Sequence, residues 1–213
     1  MLDDLIRVDF MRAQSNPAPL GQQNVPFQGQ SLKAGDIAFA RMEKVNAEIV
    51  AITYGALVSQ LVKDKKGDVK SVNEELDKMG YNMGIRLVDE FLAKNGGANQ
   101  PCQSFADVIE TLARIAFKMF LGVDAEAIIF PSSKECVINF QENPLIDFVE
   151  LPNHLVNSDF RYSNVYCGII RGAFEQLHMQ VSCEFIKDVL RGDDTNSIEI
   201  KLIGIIRPET DDE

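Results

Sequence analysis

The residue in this sequence best placed for chemistry is Cys102, in the loop Asn95-Gly-Gly-Ala-Asn-Gln-Pro-Cys102. Two residues later, Ser104-Phe-Ala-Asp107 reads as a near capping box, with a shorter acid than the usual Glu, ahead of an apolar run. A thiol at the positive end of a helix is biased toward its thiolate, the reactive form. Small residues recur at helical spacing in three segments: Gly80 with Gly84, Ala113 with Ala116, and Gly168 with Gly172. Each Gly inside a helix costs about 0.8–1.0 kcal/mol relative to Ala, so retaining four of them needs a compensating reason. One reason is close helix–helix contact, because a missing side chain lets two axes approach. The other is a gap: an internal hydrophobic channel lined by these six residues and filled by a ligand. An accessible thiol beside such a gap points to S-acylation, with an acyl chain of about sixteen carbons on Cys102 threaded inward. At ~0.8 kcal/mol per CH₂, burial of a chain that long contributes on the order of 10 kcal/mol, comparable to a domain's net stability. The plainer reading of Cys102 is an ordinary loop cysteine.

Other chemistry is thinly represented. Cys102, Cys136, Cys167 and Cys183 are widely spaced, and His154 and His178 are the only histidines, so the close ligand spacing of a structural zinc site is missing and no metal is expected. Free, mostly buried thiols are the expectation for a reducing compartment. The sequence has no Gly-Lys-Ser/Thr phosphate loop, no Gly-x-Ser-x-Gly elbow and no His-Glu-x-x-His. A Cys–His hydrolase built on Cys102 stays open as an alternative, although a packing role is the better reading of His178. The net charge of −11, from 21 Lys+Arg against 32 Asp+Glu, opposes nucleic-acid binding and adhesion to an anionic leaflet. No run approaches the ~18 apolar residues of a membrane span, and the acidic Met-Leu-Asp-Asp start is unlike a secretory signal. A cytoplasmic chain is therefore expected.

These residues need elements to position them. With 213 residues and a 46% hydrophobic fraction, a single core can form without disulfides. Residues 13–32 carry no charge and hold Pro17, Pro19 and Pro26 among Gln and Asn, so residues 1–41 read as a flexible extension. From Val45, the residues Ile49, Ile52, Ala56 and Leu61 recur at helical spacing, with Val50, Leu57 and Val58 widening the apolar arc nearly all round. Such a helix is buried in the core or in a subunit contact, so the isolated chain is expected to self-associate. A second helix carries Val72, Leu76, Met79, Met83, Leu87 and Phe91. A third follows the Ser104 cap, with Val108, Leu112, Ile115 and Met119 as its stripe and Gly122 at its end. Cys136, Ile138 and Phe140 alternate as a strand, residues 145–151 offer a second short one, and a fourth helix spans 163–178. Val181, Cys183 and Phe185, then Ile198, Ile200, Leu202 and Ile206, alternate across the turn Arg191-Gly192 as a hairpin. The order α-α-α-β-(β)-α-β-β argues an α+β fold, a helical layer on one face of an antiparallel sheet. One domain is expected over 42–207, followed by an acidic tail at 208–213.

Several runs together resemble the Bet-three subunits of the TRAPP vesicle-tethering complex. They are Leu76-Asp-Lys-Met-Gly-Tyr-Asn-Met-Gly-Ile-Arg86, Ala116-Phe-Lys-Met119 with Leu121-Gly122, and Asn143-Pro-Leu-Ile-Asp-Phe-Val-Glu-Leu-Pro152. Thr53-Tyr-Gly-Ala-Leu57, Tyr162-Ser-Asn164 and Cys167-Gly-Ile-Ile-Arg-Gly-Ala173 extend the likeness, which covers about Val45 to Ile206. The resemblance implies an α+β scaffold with no catalysis of its own, paired with related TRAPP subunits through helical faces as a heterodimer, or a homodimer in isolation. It implies a place in ER-to-Golgi vesicle transport, peripheral on cis-Golgi and ER membranes, in a complex that promotes nucleotide exchange on a Rab-type GTPase. It also implies a palmitoyl chain in an internal channel, on the cysteine matching Cys102, with Ala116 as the small residue that keeps the channel open. The family's C-terminal tail reaches toward the GTPase, which assigns that role here to Glu209, Asp211, Asp212 and Glu213. Departures from the pattern are Pro101 where a basic residue is common, no Trp in 125–134, and a shorter tail. Haem-based gas sensors resemble this fold too, so a haem- or small-molecule-binding sensor is the alternative from another class, with His178 as the one helical candidate for an axial ligand.

Overall fold

The computed structural model describes residues 7–8, 34–94, 104–130 and 134–206. Its elements, in chain order, begin with β1 (Arg7–Val8), α1 (Ala34–Arg41), α2 (Ala47–Asp64) and α3 (Val69–Lys94). A continuous helical stretch then runs as α4 (Phe105–Thr111), a π turn (Leu112–Ala116) and α5 (Phe117–Leu121). Next come β2 (Ala125–Phe130), β3 (Glu135–Phe140), β4 (Val149–Glu150) and α6 (Asn153–Val156). The chain closes with α7 (Val165–Gln176), β5 (Met179–Lys187) and β6 (Asn196–Ile205).

The fold is α+β, with a four-stranded antiparallel sheet in the order β2-β3-β6-β5. Period-two alternation sets its two faces. One cross-strand row runs Ala127–Ile138–Ile198–Phe185 and the next Ile129–Cys136–Ile200–Cys183. Phe185, Cys136, Ile138, Ile198 and Ile200 are all essentially inaccessible, and the intervening Glu199, Lys201 and Glu135 form ion pairs on the other face. The core lies between the inward rows and the helices. It includes Phe117 against Phe140 (ring centroids 5.2 Å apart), Phe105 edge-on to Phe174 (6.1 Å), and Phe140 between Tyr166 and Phe185.

The most intimate helix contact is that of α3 with α7, and glycine makes it possible. A Cβ built on Gly80 would lie inside the contact radius of the Val165 carbonyl oxygen and 2.9 Å from Ile169 N; one on Gly84 would meet the Ile169 carbonyl in the same way. The relation is reciprocal: a Cβ on Gly168 would collide with the Asp77 carbonyl, and one on Gly172 with that of Tyr81. Backbone therefore fills the space at all four positions. The assignment of Gly80, Gly84, Gly168 and Gly172 to a channel lining is accordingly corrected, and close axis approach is the reason they are retained. The Arg171 guanidinium closes the crossing by donating to both Asp77 carboxylate oxygens (Nε to Oδ1, 3.2 Å). Its centre also lies 5.3 Å from the Tyr81 ring centroid.

Four further expectations need adjustment. Residues 34–41, assigned by composition to the extension, form α1 with Gly35 and Ala38 buried. Ala125–Phe130 carries no strand signal strong enough to read in advance, yet pairs with β3 along its whole length. Within 145–151 only Val149–Glu150 is a strand, and it pairs with Arg7–Val8 rather than joining the main sheet. The fourth expected helix stops at Gln176, and His178 lies beyond it in a left-handed turn (φ 59°).

Replacing Gly80 or Gly168 with Ala is expected to lower unfolding free energy by about 2–3 kcal/mol, because overpacking against rigid backbone outweighs the better helix propensity. Gly204→Ala, where an added Cβ meets nothing within 4 Å, should stay within about 0.5 kcal/mol. Urea denaturation of the three variants measures the contrast.

Candidate functional site

Cys102 lies outside the described residues, as do Pro101, Gln100 and the tail positions Glu209, Asp211, Asp212 and Glu213. The helix that follows Cys102 is described, and it starts as expected. Asp107 N donates to Ser104 Oγ (3.2 Å) and Ser104 N donates to the Asp107 carboxylate (3.0 Å), a complete capping box. Two of the amide donors left open at a helix start are thereby satisfied, and the cap stands two residues after the thiol.

Seven residues on, the helix changes pitch. Phe117 N–H donates to the Leu112 carbonyl, five residues back, across the π turn Leu112–Ala116. A single π turn inside an α-helix inserts one extra residue and recurs at functional sites. Both alanines singled out from the sequence fall in it: Ala113, 1% exposed, and Ala116, part-buried. Hydrophobic spacing carries no signal for a π turn, since one inserted residue shifts the stripe by less than the stripe's own width. The helix resumes with Phe117 and Met119 buried and ends at Gly122, whose φ of 72° gives the left-handed cap the sequence implies.

Sequence reasoning missed α1, which packs against this stretch. A Cβ on Gly35 would collide with the Arg114 carbonyl and lie 2.9 Å from Lys118 Cβ, and the Phe39 ring lies 3.2 Å from where a Gly122 Cβ would sit. The signal was available in Ala34-Gly-Asp-Ile-Ala-Phe-Ala-Arg41, with Asp36 in the first turn and Arg41 in the last.

The two histidines and the remaining cysteines sort by environment. The His178 carbonyl accepts from Ile206 N (2.8 Å) and its own N–H donates to Glu175 O (3.0 Å), so its backbone closes the turn from α7 into β5. His154 is in the short α6. No group of three or more metal-ligating side chains converges among the described residues. Cys136 and Cys167 are buried, and Cys183 is part-buried. Burial pushes the Cys136 thiol up to about 12, which keeps it protonated at neutral pH.

A second surface feature is the outer side of α2. Ala51, Gly55 and Val58 face the core, while Ile49 (62% exposed), Val50 and Leu57 face outward, with Val45 just before the helix. Met83 and Leu92 on α3 are exposed as well. The apolar arc read from the sequence thus divides into a buried and an open half.

Several comparisons bear on this arrangement. The transport protein particle (TRAPP) component family matches residues 50–201. Trafficking protein particle complex subunit 3 of Dictyostelium discoideum is 46% identical over 171 residues, 80% of this chain and 90% of that protein. Transport protein particle subunit bet3 of Schizosaccharomyces pombe is 42% identical over 178 residues, 83% of this chain and 94% of its own length. Among solved structures, a trafficking protein particle complex subunit 3 from Naegleria fowleri, covalently bound to palmitic acid, superposes with a TM-score of 0.73 at 47% identity. That match covers 78% of this chain and 100% of the other.

Iodoacetamide at pH 8 is expected to leave Cys136 of the native protein unmodified and to label it fully in urea, because the buried thiol stays protonated and shielded. Peptide mapping checks this, and rapid labelling in the native state would contradict the burial.

Proposed function

This chain belongs to the transport protein particle (TRAPP) component family, and from that premise we propose that it is a non-catalytic subunit of a TRAPP complex that carries a palmitoyl thioester on Cys102. The acyl chain enters beside the capped start of α4 and lies against the π turn, between the helical layer and the inward face of the sheet. The observation that carries this reading is local. The helix starting three residues after Cys102 has its cap completed by Ser104 and Asp107, and it leads into a π turn whose small residues are Ala113 and Ala116. The palmitate on the Naegleria fowleri relative supports the same assignment.

Acylation follows ordinary thioester exchange. The Cys102 thiolate attacks the palmitoyl carbonyl of palmitoyl-coenzyme A, the coenzyme A thiolate leaves, and it takes up a proton from water. With Pro101 where the family commonly has a cation, the positive end of the α4 dipole is the group that favours the Cys102 thiolate. Ala113 and Ala116 provide room that larger side chains would occupy. In this proposal the four glycines of the α3–α7 crossing have no part in the channel.

The outward half of α2 gives the subunit its partner face. Ile49, Val50 and Leu57 form an apolar surface on one helix, the kind of patch that marks a protein–protein contact. A related TRAPP subunit, or a second copy in isolation, covers it. Within the complex the chain is a scaffold in ER-to-Golgi vesicle tethering. It supports nucleotide exchange on a Rab-type GTPase, with Glu209, Asp211, Asp212 and Glu213 toward the GTPase. Its proposed location is cytoplasmic, peripheral on cis-Golgi and ER membranes; among the described residues no helix is long and apolar enough to cross one.

Intact-mass measurement after incubation with palmitoyl-coenzyme A tests the acylation. The expected result is one palmitoyl adduct, absent in Cys102→Ser and strongly reduced in Ala116→Leu with circular dichroism unchanged. No adduct, or an adduct that survives Cys102→Ser, would overturn the assignment. For the partner face, light scattering is expected to give a dimer mass for the isolated chain and a monomer mass for Ile49→Asp/Leu57→Asp. A wild-type monomer at micromolar concentration would contradict it.

A further inference from the structure

We propose that Cys167 and Cys183 form a redox pair that closes into a disulfide by exchange with a small-molecule disulfide such as oxidised glutathione, stapling α7 to β5. The two cysteines lie on either side of the joint between that helix and that strand. Cys167 lies nine residues before Gln176, about 13–14 Å from the helix end at 1.5 Å per residue. Cys183 lies four residues after Met179, about 13 Å into the strand at 3.3 Å per residue. The tight turn between them, held by Ile206 N donating to the His178 carbonyl, folds α7 back on β5, so the two cysteines arrive at the same height.

Their side chains meet there. Cys183 points to the inward face, in the same cross-strand row as Ile200 and Cys136, and the Cys167 thiol is the side-chain group that acts most strongly on it. Cys167 is 1% exposed, on the core side of α7. Cys183 is part-buried, so it is the member of the pair that an external reagent reaches first. The charged groups nearest Cys183 are Arg171, one helical turn beyond Cys167, and its partner Asp77. Burial and the neighbouring thiol hold the Cys183 thiol above its ordinary range, which slows attack without changing which sulfurs are adjacent.

The exchange balances in two steps. The Cys183 thiolate attacks one sulfur of the reagent disulfide, giving a mixed disulfide and releasing one small thiol. The Cys167 thiolate then attacks the Cys183 sulfur, forming the protein disulfide and releasing the second small thiol. The reagent is reduced by two electrons, the dithiol is oxidised by two, and both protein protons leave on the released thiols. Closing the bond requires the sulfurs to come to about 2.05 Å, a movement that side-chain rotation at both residues must supply. Cys136 shares the sheet row but is separated from Cys183 by Ile200 on the intervening strand, which leaves Cys167 as the resolving thiol.

The test uses the full chain carrying Cys102→Ser, which removes the loop thiol, incubated with oxidised glutathione at mildly alkaline pH. The expected product has lost the mass of two hydrogens and yields one linked peptide pair joining Cys167 to Cys183. Adding Cys167→Ser should stop the reaction at one glutathione on Cys183, and adding Cys183→Ser should leave the protein unmodified. Unchanged mass in the Cys102→Ser parent overturns the proposal. So does a two-hydrogen loss that persists in Cys167→Ser, which would make Cys136 the partner. Because peptide mapping of the parent alone decides the pairing, the result stands even where a further variant folds poorly.

Discussion

At the α3–α7 crossing two backbones touch, and the position of nearly every other element follows from that contact. With Gly80 and Gly84 on one helix and Gly168 and Gly172 on the other, each carbonyl sits where the opposing residue's Cβ would be. The contact brings the Arg171 guanidinium onto Asp77 and over Tyr81, giving the crossing a charge-assisted lock at its side. Since α7 runs by a two-residue turn straight into β5, the same contact sets how far the sheet lies from the helical layer. Interior glycine costs helix propensity at all four sites, and close packing along the crossing is what offsets it.

The polar contacts around α7 show why the family-like runs are spelled as they are. Tyr54 donates to the Tyr162 carbonyl (2.6 Å), and Asn73 accepts from Arg161 N (3.0 Å) and donates to the Asp159 carbonyl (2.8 Å). Asn143 donates to Ser163 Oγ (2.9 Å) while its own carbonyl accepts from Leu145 N and Tyr166 Oη. These bonds tie α2, α3 and the segment after β3 to the start of α7. Loss of one partner leaves the others unsatisfied; the buried Tyr162 hydroxyl has no hydrogen-bond partner among the described residues, so Tyr162 acts through its carbonyl and through its ring edge-on to Tyr54 (centroids 5.2 Å apart). Tyr54, Asn143, Tyr162, Ser163 and Asn164, whose side-chain amide donates to the Asn73 carbonyl (2.8 Å), thus stand in the runs that carry the resemblance because they hold the fold. The chemistry proposed at Cys102 lies outside those runs.

Much of the fold was legible because its signals are local. The Ser104–Asp107 box and the left-handed cap at Gly122 depend on residues within a few positions of one another, and the β5–β6 hairpin joins two alternating runs that are consecutive in the chain. What was not legible depends on partners distant in sequence. Ala125–Phe130 is an edge strand whose inward Ala125 and Ala127 are too small to mark a periodicity, and its place is decided by pairing with β3. The glycine pairs allowed two readings until the opposing helix was known. The π turn at Leu112–Ala116 is an insertion that residue types do not announce. At the candidate site the helix start could be read in advance, whereas the π turn and the α1 contact with that stretch could not.

In the proposed acylated protein, the chain leaving Cys102 runs along the π turn rather than along the glycine crossing. The most direct measurement is an isotope-filtered NOE experiment on the palmitoylated protein with labelled alanine methyl groups. The expected result is contacts from the acyl methylenes to the methyls of Ala113 and Ala116. An acyl chain with no contact to either methyl, in protein shown by mass to be acylated at Cys102, would contradict it.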